Sequence, residues 1–444
     1  MERQQDYVLR SVEERGVRFI RLWFCDVLGQ LKSVAIVPGE LASALDEGMT
    51  FDGSAIDGFS RVQESDMLLH PDPATFELLP WRGDEAPVAR MFCDVRTLDS
   101  QPFEGDPRHV LRRNLDRARE LGFSFYVGPD MEFFYFPSDG GRPVPTPMDS
   151  GSYFDLTTVD VATDLRRRTI LALEAMGIPV RYSHHEDAPS QQEIDLRYTD
   201  ALTMADNVTT FKLVVKEVAM ERGVHATFMP KPLAGVQGSG MHTHVSLFEG
   251  DVNAFWDPDD AHHLSKVAKG FIAGLLRHAG ELTAITNQWV NSYKRLVVGF
   301  EAPVHVAWAR NNRSALVRVP GARKGKESST RLEFRSPDPA CNPYLAFAVI
   351  LGAGLKGIEE GYDLAPELTT NLYEMTAQER MAEGVAALPT SLSEALSCME
   401  RSELMADILG EHVFEWFIRN KRAECADYTR QVTPFEIERY LPNL

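Results

Sequence analysis

The sequence predicts an α+β protein, with a small mixed domain over residues 1–104 and a large domain over residues 105–444. Three observations carry this expectation. The first hundred residues hold only short helix and strand patterns. Beyond residue 107 the helical patterns become long. Between those helices lie strands in which apolar residues alternate with charged ones, the period-two signature of a sheet with two unlike faces.

In the small domain, residues 4–14 read as a helix, and 17–24 and 32–37 as strands around the turn Leu28-Gly29-Gln30. Pro38-Gly39-Glu40 opens a helix to residue 47, because the fixed φ of proline suits a first helical turn. Residues 91–95 read as a further strand. In the large domain, helices are expected over 107–121, 161–176, 200–221, 262–286, 342–360 and 392–409. The Gly/Pro-rich stretch 137–152 reads as a surface excursion rather than a linker.

Composition narrows the function classes. Of 444 residues, 44% are hydrophobic, enough for a sizeable core; 46 Lys and Arg against 65 Asp and Glu leave a net charge of −19. That balance argues against nucleic acid as a partner, which needs clustered basic residues. Cys25, Cys93, Cys341, Cys398 and Cys425 are scattered with no C-x-x-C pair, so neither a zinc site nor a disulfide framework is suggested. Residues 1–6 lack the apolar core of a signal peptide, and the longest apolar stretch, 344–355, is too short to span a bilayer. A cytoplasmic protein without a membrane partner is expected.

Four strands carry charged faces. Asp130 and Glu132 share a face in 125–136, and Glu193, Asp195 and Arg197 in 192–197. His242, His244 and Ser246 share one in 241–248, and Arg331, Glu333 and Arg335 in 331–335. Carboxylate and imidazole suit a divalent cation, and guanidinium suits phosphate. If the carboxylates converge, two of them at ~4 Å repel by about 4 kcal/mol at an effective dielectric constant of ~20, so several ionised together imply bound metal. Many carboxylates and few histidines favour Mg²⁺ or Mn²⁺ over zinc. His184-His185-Glu186 ends a strand over 178–185, a short step before Glu193. Arg295, Arg313 and Arg318, with Arg331 and Arg335, suggest an anion pocket; no Walker-type loop is present, so side chains and metal must hold phosphate.

The chain resembles type I glutamine synthetases along nearly its whole length. The matching segments are Phe51-Asp52-Gly53-Ser54-Ala55-Ile56, Glu64-Ser65-Asp66-Met67, Asp130-Met131-Glu132-Phe133-Phe134 and His184-His185-Glu186 through Gln192-Glu193. Phe228-Met229-Pro230-Lys231-Pro232, Gly238-Ser239-Gly240-Met241-His242-Thr243-His244, Asn291-Ser292-Tyr293-Lys294-Arg295, Glu301-Ala302-Pro303, residues 312–320 and Arg331-Leu332-Glu333-Phe334-Arg335 complete the set. The resemblance implies an N-terminal β-grasp domain, a catalytic domain with an open antiparallel barrel surrounded by helices, and a dodecamer of two hexameric rings. It implies active sites shared between neighbouring subunits, with the Asp52 loop supplied by the adjacent chain. The compact region after Asn371 looks like the I-alpha subtype, in which Arg61 matches a position tied to feedback inhibition.

Carried over residue by residue, Glu132, Glu186 and Glu193 match the ligands of one metal, and Asp130, His242 and Glu333 those of a second; two to three ions per site are implied. Gly238, Arg295, Glu301 and Arg335 match the glutamate site, and Asp52, Tyr153 and Glu186 the ammonium pocket. Arg313, Arg318 and Arg331 match positions for the nucleotide phosphates and the transferred phosphoryl group; His244 and Ser246 match nucleotide-side positions. The implied reaction converts glutamate and ATP to γ-glutamyl phosphate, which ammonia attacks to give glutamine.

Three positions depart from the family pattern: Asp130 stands for a usual Glu, Gln237 for a usual Asn, and Ala55 for a usual Ser beside the ammonium pocket. The loss of the Ser hydroxyl keeps open a larger acceptor, a polyamine or ethanolamine. Retention of Asp52, Tyr153 and Glu186 points to ammonia. Tyr373 resembles a tyrosine adenylylated in longer forms and reads here as structural.

Overall fold

A computed structural model describes residues 2–54, 56, 58, 66–81, 86–156, 162–321 and 325–444. Alternation decides how the N-terminal sheet sits. In the strand Phe19–Cys25, the side chains of Ile20, Leu22 and Phe24 enter one core with Leu41, Leu45 and Met91, beneath the helices Glu2–Glu14 and Leu41–Glu47. Trp23 and Cys25 point the other way and join the core of the large domain beside Phe92, Val110 and Leu111. The strand is therefore buried on both faces. It lies between Leu31–Ile36, antiparallel to it, and Val88–Arg96, parallel to it. The order continues through Asp66–Pro71 to Met49–Asp52 at the edge.

Among the described residues, the large sheet has eleven strands. Its main path runs Trp308–Ala309, Val317–Arg318, Leu332–Phe334, Met241–Glu249, Ser124–Asp139, Gln191–Leu196, Val180–His185. It curls into a half-barrel, with every neighbour antiparallel except the Trp308–Ala309 pairing. One face carries Met131, Phe133, Ile194, Met241, Val245, Leu332 and Phe334 into the main core, where the helices Ala201–Met220 and Pro343–Glu359 cover it. Among the described residues, no helix is long and apolar enough to cross a membrane.

Several boundaries differ from those read in the sequence. Residues 262–286 form two helices, Lys266–Arg277 and Ala279–Thr286, broken at His278, and the start is fixed by Ser265, whose side chain accepts from Ala268 N. Residues 392–409 divide into Leu392–Met399 and Glu403–Leu409, where Ser402 caps the second helix. In both cases the apolar period continues across the break; at the second a local cap, Ser402, makes it. The strands Met49–Asp52 and Asp66–Pro71 and the helix Glu411–Thr429 escaped the sequence reading. The excursion after residue 137 begins as strand, since Ser124–Asp139 runs on into a hairpin with Arg142–Pro143.

Buried charge joins the two sheets. The guanidinium of Arg108 bonds Asp206 (3.0 Å) in the large domain and Asp72 (2.8 Å) and Asp94 in the small one, and Tyr344 donates to Asp206 (2.6 Å). Breaking such a fully paired group strands charge in the interior. Elsewhere the packing depends on missing side chains. Lys266–Arg277 approaches Pro343–Glu359 so closely that a Cβ on Gly274 would meet the Ala353 carbonyl and one on Gly357 the Gly270 carbonyl. Gly274→Val is therefore expected to cost about 1–3 kcal/mol through overpacking, measured as a lower thermal midpoint; an unchanged midpoint would contradict this packing.

Candidate active site

The charged face of the large sheet is laid out in three rows by strand register. Glu193 pairs with Glu132 on one side and His184 on the other. One step along, Asp195 pairs with Asp130 and Tyr182, and Asp130 in turn pairs with His242. In the third row, His244 pairs with Glu333 and Glu333 with Arg318. Glu193 opposite Glu132 and Asp195 opposite Asp130 are like charges directly across an antiparallel ladder, an arrangement that destabilises a sheet unless something neutralises it.

These rows wall a cavity of ≈ 210 Å³. Its lining includes Asp130, Glu132, Tyr153, Glu186, Glu193, Gly238, His242, Arg295, Glu301, Arg313, Arg318 and Arg335, all expected from the sequence. Three further expected residues adjoin it through these. His244 Nε2 lies 2.9 Å from Asp130 Oδ2, and Arg331 Nε donates to His244 Nδ1 (3.3 Å), so His244 carries its proton on Nε2. Glu333 accepts from Arg318 (2.6 Å) and from Arg335. Two expected residues lie elsewhere. Ser246 donates to the Thr330 carbonyl (3.2 Å) one strand step beyond His244, and Asp52, exposed on its N-terminal edge strand, is absent from the lining of its own chain's cavity. Ala55 and Arg61 fall outside the described residues. Tyr373 is half-buried and donates to the Ala302 carbonyl (2.8 Å).

The donor set fits divalent cations. Ligand atoms of His184, Glu186 and Glu193 lie within 4.8 Å of one another, as do those of Asp130, Glu193 and Asp195. Asp195 is buried beside the acids Asp130 and Glu193, with the Tyr182 hydroxyl as its neutral hydrogen-bond partner. Buried carboxylates grouped this closely are stabilised in their ionised form by a bound cation. Neither grouping coincides with the sets implied by the family resemblance: His184 and Asp195 enter, while Glu132 is tied to Gly240 N (2.8 Å) and Gln191 Nε2 (3.0 Å).

Protonation follows the same pattern. Burial, then the neighbouring Glu132, pushes Glu186 up to about 7. Burial, then Asp130, pushes Asp195 up to about 8, and burial with Glu132 and Asp195 pushes Glu193 well above its usual range. Burial would raise Glu333 too, but Arg335, His244, His242 and Arg318 together hold it well below the carboxylate range. His242 is pushed down to about 3 by burial and then by Arg335, leaving a neutral imidazole that can act as a ligand.

Arginines complete the lining. Arg295 is buried and donates to the carbonyls of Ser336 (2.7 Å), Pro337 (3.3 Å) and Arg335 (3.3 Å). Its side chain fills the space beside Gly238 and Gly240, where any Cβ would strike Pro230 O or the guanidinium itself. Glu301, at φ 57°, faces Asp187, Glu186 and Arg313. Tyr153 packs edge-on to His184 at 5.4 Å between ring centroids.

Comparison with known proteins decides the family. Residues 104–440 match the family model described as glutamine synthetase, catalytic domain, and residues 16–98 that described as glutamine synthetase, beta-Grasp domain. The chain belongs to the glutamine synthetase family. It is 59% identical over 446 residues to the glutamine synthetase of Mycobacterium tuberculosis, across 99% of this chain and 100% of that protein. It is 50% identical over 435 residues to the glutamine synthetase of Thermotoga maritima, across 98% of each. Among solved structures, the GmaS/ADP complex in conformation 1 superposes with a TM-score of 0.89 at 33% identity, over 98% of this chain and 99% of that one. Plasmodium falciparum glutamine synthetase superposes with a TM-score of 0.87 at 25% identity, over 98% of each.

The fold expected for a glutamine synthetase is borne out in both parts. Tyr182, Gln191 and Phe300, which no sequence motif singles out, border this site, as do His184 and Asp195, which the sequence marks without giving them a ligand role. For Asp195 the signal was present, on the same strand face as Glu193; for His184 and Tyr182 it lay in pairing between strands, which one strand's pattern does not reveal.

The raised carboxylates set a pH dependence with a definite sign. Glu186 goes from 4.5 to about 7 and Asp195 from 3.8 to about 8, so without metal these two groups hold more protons in the folded chain than in the unfolded chain across that window. Their contribution to the stability of the metal-free protein therefore falls as pH rises from about 4 to about 8, while His242, pushed down to about 3, acts in the opposite sense below its usual 6.5. Added Mg²⁺ or Mn²⁺ should raise the thermal midpoint most at the upper end of that window; a gain independent of pH would contradict the assigned protonation.

Proposed function

We propose that this cavity joins the γ-carboxylate of glutamate to ammonia with ATP, yielding glutamine, ADP and phosphate through γ-glutamyl phosphate. One observation carries the reading: carboxylates, imidazoles and the guanidinium groups of Arg295, Arg313, Arg318 and Arg335 line a single cavity. A carboxylate resists attack by an amine because oxide is a poor leaving group, whereas an acyl phosphate offers phosphate instead. Divalent ions held by Asp130, Glu132, His184, Glu186, Glu193 and Asp195 supply charge neutralisation when bound. Two to three such ions, Mg²⁺ or Mn²⁺, are what the family resemblance implies.

Arg295 and Arg335 bind glutamate. Arg313, Arg318 and Arg331 offset charge on the phosphoryl group in transit, where preorganised cations act most strongly. Glu186, raised by burial, and Tyr153 border the ammonium position, and the aromatic contact of Tyr153 with His184 fixes that wall. Ammonium must lose a proton before it attacks, and a neighbouring carboxylate accepts it. Asp52 is the residue read for that role; its absence from its own chain's cavity lining supports a site completed by a neighbouring subunit, in a dodecamer of two hexameric rings. The retained Tyr153 and Glu186, together with full-length relatives at 49–59% identity named glutamine synthetase, favour ammonia over a polyamine or ethanolamine.

Two measurements test the reading. Phosphate release should require glutamate and ammonium and be low with putrescine, spermine or ethanolamine; turnover with a polyamine alone would overturn the acceptor. Arg313→Ala should lower kcat by at least about tenfold, the scale of removing one preorganised charge from a phosphoryl transfer; an unchanged kcat would remove Arg313 from the machinery.

A further inference from the structure

We propose that Lys231 is a positioning residue that fastens the 297–303 segment over the cavity by stacking its ammonium on Phe300, and thereby shields the activated glutamate from water. The inference rests on the γ-glutamyl phosphate reading above.

The segment contains no helix or strand. Val297 and Val298 are exposed, and Gly299 and Glu301 sit at φ 94° and 57°. A positive φ at Glu301 is costly for a residue with a side chain and persists only where surroundings enforce it. One end is held where Val297 N donates to the Arg295 carbonyl (2.7 Å), the other where Tyr373 bonds the Ala302 carbonyl. Between these anchors the segment sends Phe300 and Glu301 to the cavity lining. Glu301 there lies beside Asp187, to which its carboxyl is hydrogen-bonded, and near Glu186 and Arg313.

Lys231 holds the aromatic residue of this segment. Its Nζ lies 3.9 Å from the centroid of the Phe300 ring, well inside cation–π range. The lysine is itself rigidly placed. Its N–H donates to Asn291 Oδ1 (2.8 Å) and its carbonyl accepts from Asn291 Nδ2 (3.1 Å), at the entry to the short helix that carries Arg295. Its ammonium also donates to the Val236 carbonyl, on the loop leading to Gly238. Lys231 thus ties together the three segments that bring Arg295, Gly238 and Phe300 to the cavity.

The consequence is chemical coupling. If the segment lifts, water adds to the acyl carbon of γ-glutamyl phosphate, the carbon–oxygen bond to phosphate breaks, and glutamate returns with phosphate released. ATP is then consumed without an amide bond. The test is the ratio of phosphate to glutamine formed by the full-length enzyme with Mg²⁺, glutamate, ATP and ammonium. Lys231→Met and Phe300→Leu should each raise that ratio at least about twofold, the smallest shift that loss of a cation–π contact produces in an open–closed equilibrium. Lys231→Arg, which stacks equally well, should restore wild-type coupling. If both loss variants lower thermal stability or kcat yet keep the wild-type ratio, the lysine is merely structural and the proposal fails. Should Lys231→Met not fold, Phe300→Leu alone decides. Wild-type protein that makes no glutamine would instead refute the reading beneath it.

Discussion

Everything in this molecule is arranged around carboxylates that repel. Antiparallel pairing sets Glu193 against Glu132 and Asp195 against Asp130, and burial deprives them of the water that would screen them. No sheet gains stability from that arrangement alone. The free energy must come from elsewhere: from the apolar face of the same strands, where Met131, Phe133 and Ile194 sit in the main core, and from cations brought to the polar face. Stability and chemistry thus occupy opposite sides of one sheet, separated by the thickness of a strand.

The rest of the fold holds that sheet still. The N-terminal strand Phe19–Cys25, buried on both sides, places the small domain against the large core rather than beside it. Arg108 bridges the two with three carboxylates, so relative motion of the sheets would expose unpaired charge. Close helix packing through Gly270, Gly274 and Gly357 gives the half-barrel a firm backing. The rim is left to irregular backbone, where Glu301 and Phe300 are found.

Much of this was legible in the sequence because strand period transmits directly to faces. Asp130 and Glu132, His242 and His244, and Glu333 and Arg335 were each assigned to a common face from spacing alone, and each pair borders the site. What spacing does not reveal is which strands become neighbours. His184 reaches Glu193 only through the pairing of Val180–His185 with Gln191–Leu196, so its ligand potential stayed hidden. The edge strands Met49–Asp52 and Asp66–Pro71 are short and partly solvated, and their alternation is too brief to separate from loop. The helix break at His278 was likewise invisible, because the apolar period resumes directly after it. The arginines were found as a cluster, yet the carbonyls of residues 335–337 that orient Arg295 belong to tertiary structure alone.

The register of Ser124–Asp139 with its two neighbours also defines what can vary over evolutionary time. Shortening a side chain, as with Asp in place of Glu at position 130, moves one oxygen donor by a methylene and leaves its direction intact. Inserting or deleting a single residue between Gly128 and Asp130 would turn Met131 toward the cavity side and both acids toward the apolar core. Chemical identity at these positions is therefore negotiable, whereas parity is not: lineages are free to exchange one acid for another but are barred from changing the count of residues between them.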